Sequence, residues 1–212
     1  MKKSILIICF LPLFAMAQQG NNLKDTLTLA TLPIDATGNL VYTTIVNLPV
    51  SKADLYQRAK IWAALAFNSA KTVTQYDDAA GSNIVIKAID EEFYTYKFLG
   101  ASYPVRYFMY FSLHFTFAEN KYRAVIEDLS FETITSNDIL PVKEPFEGIY
   151  KHLKEWNGNI KSGNEEFNRE QDMTKKEARM YGQIVNNVAA FAATTIDDIK
   201  KHMLNSAKGD DF

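Results

Sequence analysis

Ser112, His114 and Glu127 are the side chains whose types and spacing bring them nearest to a reactive group. Ser112 and His114 are two apart in a run that alternates apolar and mixed residues. On a strand that spacing puts them on one face, ~7 Å apart at Cα. With Glu119-Asn120 as a tight turn, Thr116 is expected opposite Arg123, His114 opposite Val125 and Ser112 opposite Glu127. Tyr110 is then opposite Leu129 and Phe108 opposite Phe131, and Glu127 lies diagonal to His114 within side-chain reach. A hydroxyl, an imidazole and a carboxylate are the parts of a nucleophile relay. The sequence around them argues the other way. There is no Gly-x-Ser-x-Gly elbow and no nearby glycine for an oxyanion hole, and polar residues alternate on any solvent-facing strand.

The element that must carry these residues is the clearest pattern in the chain. Val105, Tyr107, Met109, Phe111, Leu113, Phe115 and Phe117 are all apolar, whereas Arg106, Phe108, Tyr110, Ser112, His114 and Thr116 are mixed. A period of two predicts a long strand with its odd face on the core. Lys121 to Thr133 reads as its returning partner. Leu40 to Leu48 reads as an earlier strand, stopped by Pro49. Ser51-Lys52-Ala53-Asp54 has capping-box spacing and opens a helix to about Asn68, with Leu55, Ala59, Trp62 and Ala66 on its inner stripe. Short strands are expected over Lys71 to Tyr76 and Asn83 to Ile89, joined by a turn at Asp77 to Ser82. Residues 90–104 read as a strand extension followed by a loop. A short helix is expected over Phe146 to Trp156, ended by Asn157-Gly158. Thr174-Lys175-Lys176-Glu177 is a second capping box and opens the longest helix, to about Met203. The predicted order is β-α-β-β-β-β-α.

Residues 1–17 read as an export leader. Lys2 and Lys3 precede an apolar run from Ile5 to Phe14, and Ala15-Met16-Ala17 gives the small-x-small cleavage pattern. The run is shorter than the ~20 residues a membrane-spanning helix needs. Cleavage near Ala17 would release a periplasmic or extracellular protein that has no integral span. The single cysteine, Cys9, lies in this leader, and Ile8 before it is too large for a lipid-attachment signal, so disulfides are not expected. The leader holds two lysines and no acid; the remainder has 21 basic against 25 acidic residues, a net charge of −4. Mild acidity disfavours nucleic acid, which is gripped by basic patches. Hydrophobic content of 47% suffices for a packed core.

Gly38-Asn39-Leu40-Val41-Tyr42, Leu55-Tyr56-Gln57-Arg58-Ala59-Lys60-Ile61-Trp62 and Lys121-Tyr122-Arg123, set in this element order, resemble a secreted bacterial family. It is described as a domain of unknown function with a TATA-box-binding-protein-like (TBP-like) fold. The resemblance covers roughly residues 35 to 135 and implies an α+β fold, a curved antiparallel sheet with helices packed on one face. It carries no activity, cofactor or catalytic residue, and fold does not imply function.

The expected organisation is a leader over 1–17, a polar lead-in over 18–37, the α+β core over 38–135, a polar connection over 136–173 and a C-terminal helix over 174–205. His152 and His202 have no ligand spacing around them, and Asp77-Asp78 and Asp90-Glu91-Glu92 lack the pattern of a calcium loop, so neither metal nor cofactor is expected. The reading is a non-catalytic binding domain for an envelope protein or other envelope component, with no role for nucleic acid. Its open sheet face would bind through Arg106, Phe108, Tyr110, Ser112, His114 and Glu127. The alternatives are a hydrolase using Ser112, His114 and Glu127, and a structural subunit that makes contact through the final helix or an edge strand.

Overall fold

The structure, a computed structural model, describes residues 26–67, 74–78, 80, 82–133, 143–162 and 174–205. The leader with its cleavage site, Ala79 and Gly81 of the expected turn, and much of the 136–173 connection lie outside the described residues. Among the described residues, six strands and three helices follow in order: β1 (Tyr42–Asn47), α1 (Lys52–Ala66), β2 (Thr74–Asp78), β3 (Asn83–Phe98), β4 (Ala101–Ala118), β5 (Lys121–Thr133), β6 (Lys143–Pro145), α2 (Phe146–Ser162) and α3 (Lys175–Asn205). One antiparallel sheet runs β1-β5-β4-β3-β2, and β6 pairs with β5 beyond β1. The fold is α+β, with an open sheet.

Alternation in β4 decides which side is inside. Tyr107, Met109, Phe111, Leu113, Phe115 and Phe117 are all buried, and the helices supply the other half of that core. Trp62 of α1 meets Phe115 edge-on at 5.7 Å between ring centroids, and Phe191 of α3 lies 4.8 Å from Phe111. The Thr174 box closes in both directions, whereas in the Ser51 box the returning Asp54 carboxylate takes the Ser51 hydroxyl and not its backbone N–H. The Ser51 hydroxyl accepts from the Asp54 N–H at 3.1 Å and donates to the Asp54 carboxylate at 2.8 Å. The Thr174 N–H donates to Glu177 at 2.6 Å, and the Glu177 N–H donates back to the Thr174 hydroxyl at 3.2 Å. Each N-cap hydroxyl satisfies an N–H group that a helix start leaves without a partner.

One expectation is corrected and two are extended. The loop expected before Pro104 is a β-hairpin: β3 continues to Phe98, turns at Leu99-Gly100, both at positive φ, and re-enters β4 at Ala101. Pro104 fits there because β5 pairs with β4 only as far as Tyr107, so its missing N–H is not needed for a ladder. The connection over 136–173 is not merely polar. It contributes β6 and all of α2, which runs past Gly158 to Ser162 and buries Phe146, Leu153 and Trp156 in the core. The lead-in is also tied down from Leu27 onward. Asn157 of α2 takes the Leu27 N–H at 2.7 Å and donates to its carbonyl at 2.8 Å. Asn186 of α3 does the same for the Ala30 N–H (2.7 Å) and the Thr28 carbonyl (2.9 Å). Each amide side chain substitutes for a neighbouring strand.

Candidate functional site: the open sheet face

Helices occupy one side of the sheet, and the other side carries the even residues of β4 flanked by β3 and β5. Its rows follow from the register. Phe93 is beside Arg106; Glu91, Phe108 and Glu132 form the next row, then Ile89, Tyr110 and Ser130, then Lys87, Ser112 and Glu127, then Val85, His114 and Val125.

Near the turn the hairpin pairs as expected, with Ser112 opposite Glu127 and His114 opposite Val125. Further out it does not: Tyr110 is opposite Ser130 instead of Leu129, and Phe108 opposite Glu132 instead of Phe131. The cause is a bulge inside β5, in which Asp128 and Leu129 together face Phe111. Asp128 takes φ +54°, a left-handed conformation that a short polar side chain tolerates. The bulge lies in the gap between β1, which pairs with Lys121–Ile126, and β6, which pairs with Ser130–Glu132. The sequence held a signal for it. Core residues of β5 are even at Tyr122, Ala124 and Ile126 and odd at Leu129 and Phe131; only an extra residue changes the parity of a strand.

The bulge also decides what the three reactive residues do. Ser112 is 2% exposed, and its hydroxyl donates to Asp128 at 2.9 Å, fastening the extra residue. His114 Nδ1 lies 3.2 Å from the Glu127 carboxylate. The imidazole and carboxylate meet as the diagonal predicts, while the hydroxyl is committed to a carboxylate the sequence reading did not consider. A relay needs its hydroxyl on the imidazole and within reach of a substrate; this geometry gives Ser112 neither.

Around them the face is laced with pairs. The Tyr110 hydroxyl donates to Glu132 at 2.8 Å, and that bond raises the phenol above its ordinary range. Lys143 of β6 sits 4.2 Å from the Tyr110 ring centre. Arg106 lies over Phe108 at 5.5 Å and reaches Glu91 at 3.7 Å. Between these pairs stand apolar side chains that the sequence reading did not place on this face: Ile89 at 59% exposure, Phe93 at 50% and Ile45 of β1 at 63%. Phe93 lies where a strand extension gives way to a loop in the sequence, and the faces of β1 and β3 follow only from their pairing with β5 and β4.

Among the described residues, no three His, Cys, Asp or Glu side chains come together at a metal-sized site, and no helix is long and apolar enough to cross a membrane. A cavity of about 710 Å³ lies on the helical side between Leu27, Tyr94 and α3, away from this face.

Residues 42–132, the five main strands and α1, match the model of a family described as a domain of unknown function (DUF4468) with TBP-like fold. The chain carries a domain of this family. Two crystal structures are similar to nearly the whole of it. A DUF4468 family protein from Bacteroides ovatus has 14% identity, a TM-score of 0.53, and coverage of 85% of this chain and 94% of its own. A TBP-like protein from Parabacteroides distasonis has 14% identity, a TM-score of 0.56, and coverage of 82% and 97%. At that identity the likeness concerns the fold alone. No curated protein matches the chain in sequence. The DUF4468 domain thus provides the five main strands and α1, while β6 extends the sheet and α2, α3 and the strapped lead-in complete the core beneath it.

Proposed function

We propose that the protein is an exported, non-catalytic binding domain that takes a protein of the cell envelope on its open sheet face. The observation that carries this is the half-exposed Ile89 and Phe93 beside Phe108 and Tyr110, on a face the core does not use. Contiguous apolar surface rimmed by polar groups marks protein contact sites. Charges on the face are mixed, with Lys87, Arg106 and Arg123 among Glu91, Glu127 and Glu132. That mixture suits a protein surface better than a phosphate backbone, which calls for a basic face. The hydroxyl and imidazole that would serve a hydrolase are engaged with Asp128 and Glu127.

Replacing Phe93 and Arg106 together with Ala tests the reading. Both are about half exposed, and the Arg106–Glu91 pair is a surface ion pair of small worth. Stability should change by less than about 1 kcal/mol in total, while capture of the partner from envelope extract is lost. Undiminished capture contradicts the proposal. Hydrolysis of an ester, amide or glycan that disappears in Ser112→Ala would install the enzyme reading instead.

A further inference from the structure

Two stretches of the sheet's outer edge are guarded. β2 is short, carries Asp77 and Asp78, and its pairing with β3 slips between Thr74 and Tyr76; charges and irregular pairing are devices that keep edges from finding partners. Past β2, the outward backbone of β3 is occupied by α3. Gln183 accepts from the Thr95 N–H at 3.0 Å and donates to the Thr95 carbonyl at 3.2 Å, and Asn187 donates to the Phe93 carbonyl at 3.0 Å.

β1 has none of these guards. Tyr42-Thr43-Thr44-Ile45-Val46-Asn47 contains no charge and no proline, and it pairs with β5 in unbroken register. The Leu48 N–H donates to the Asn120 carbonyl at 2.8 Å, so the even residues of β1 bond towards β5 and the odd ones outwards, as antiparallel pairing alternates. Thr43, Ile45 and Asn47 therefore present their N–H and C=O groups along the edge, and all three residues are exposed. Among the described residues, no hydrogen bond closes that row.

We infer that β1 is the contact between two copies of this chain, paired antiparallel across a two-fold axis through Ile45. A two-fold is self-complementary here. It sets Ile45 against its twin and Thr43 against Asn47 of the other copy, apolar on apolar and polar on polar, with about six backbone hydrogen bonds. A strand without charge meets no like charge when it pairs with itself, and an ionic partner strand would find nothing to answer it. The pairing shelters Ile45, one of the most exposed apolar side chains of the open face. Because the axis stands perpendicular to the sheet, both open faces point the same way, and two six-stranded sheets become one continuous surface with all helices behind it. The inference stands on the edge of the sheet and is independent of what the face binds.

Sedimentation equilibrium of the full chain over a range of concentrations should give a reversible monomer–dimer equilibrium. Ile45→Lys, which puts a guard charge on the edge, should yield monomer at every concentration, and its thermal unfolding should match that of the original chain at dilutions where the original is monomeric, since the side chain already points to solvent. Tyr76→Lys on the opposite edge should dimerise like the original chain. In a Cys9→Ser background, Ile45→Cys should be joined to its twin by a short thiol crosslinker and Tyr76→Cys should not. A chain that is monomeric throughout, a dimer that survives Ile45→Lys, or a dimer lost on replacing Phe93 and Arg106 while Ile45→Lys keeps it, each overturns the inference. If Ile45→Lys itself fails to fold, the crosslinking pair alone decides.

Discussion

Truncating Leu113 to Ala is expected to cost roughly 2–5 kcal/mol, the range for deleting a buried leucine side chain. Leu113 is fully buried between Ile86 on β3 and Ile126 on β5, themselves fully buried. Central strands cannot easily move to refill the space, because each is held by ladders on both sides. For a chain of this size such a loss lowers the melting temperature by about 4–20 °C. Thr116→Ala, three residues along the same strand and on the open face, should shift stability by no more than about 0.5 kcal/mol. Urea unfolding of the two variants would check this. Equal effects would mean that the two faces of β4 are not core and solvent.

Stability should also fall steeply in alkali. Burial pushes the phenols of Tyr42, Tyr122 and Tyr181 up to about 12, and raises that of Tyr107 further still. The neutral phenol is the form the folded state favours. These groups therefore leave stability unchanged below their unfolded value of about 10, and stability is lost as pH rises from there through about 12. For Tyr122, 1% exposed, a rise of two units corresponds to about 3 kcal/mol. Denaturant unfolding at pH 9 and at pH 11.5 should show this loss in the original chain, and a smaller one in Tyr122→Phe, which has no proton to lose. Identical losses in the two proteins would show that the phenol ionises as freely folded as unfolded.

Elements with a strong local cause were legible in the sequence. The two capping boxes fix helix starts through contacts three residues apart, and the alternation of β4 fixes its faces, since burial of one side and not the other permits only one parity. The stripe of α3, with Ile184, Val188, Ala192, Ile199 and Met203 buried, follows from the same logic at helical period. What was not legible depends on partners far along the chain. The stretch from Asp90 reads as a strand extension that soon gives way to a loop, yet β4 holds it residue by residue to Phe98, and Gln183 and Asn187 satisfy its outer edge from about ninety residues away. The lead-in reads as polar because the amides of Asn157 and Asn186 that receive it lie on helices not yet reached.

The candidate site divides in the same way. The register from the tight turn placed Glu127 beside both Ser112 and His114, and the His114–Glu127 contact follows from it. The bulge at Asp128 then turned an apparent triad into two separate pairs. Its trace, the change from even to odd among the core residues of β5, was present in the sequence, and the expected pairs of Tyr110 and Phe108 moved by one residue because of it. The face therefore has fewer free polar groups and more exposed apolar ones than spacing alone suggests, and this is why binding suits it better than hydrolysis.

The central claim is that the open sheet face, and not the helical side, meets the partner. Hydroxyl-radical footprinting of the full chain, alone and mixed with envelope extract, reads both sides at once, because each has exposed side chains that oxidise. Ile89 and Phe93 report on the sheet face, and Ile61, Leu65 and Leu204 on the helices. The account predicts that extract protects Ile89 and Phe93 and leaves Ile61, Leu65 and Leu204 as reactive as before. Protection confined to the helical residues, with Ile89 and Phe93 unchanged, would contradict it.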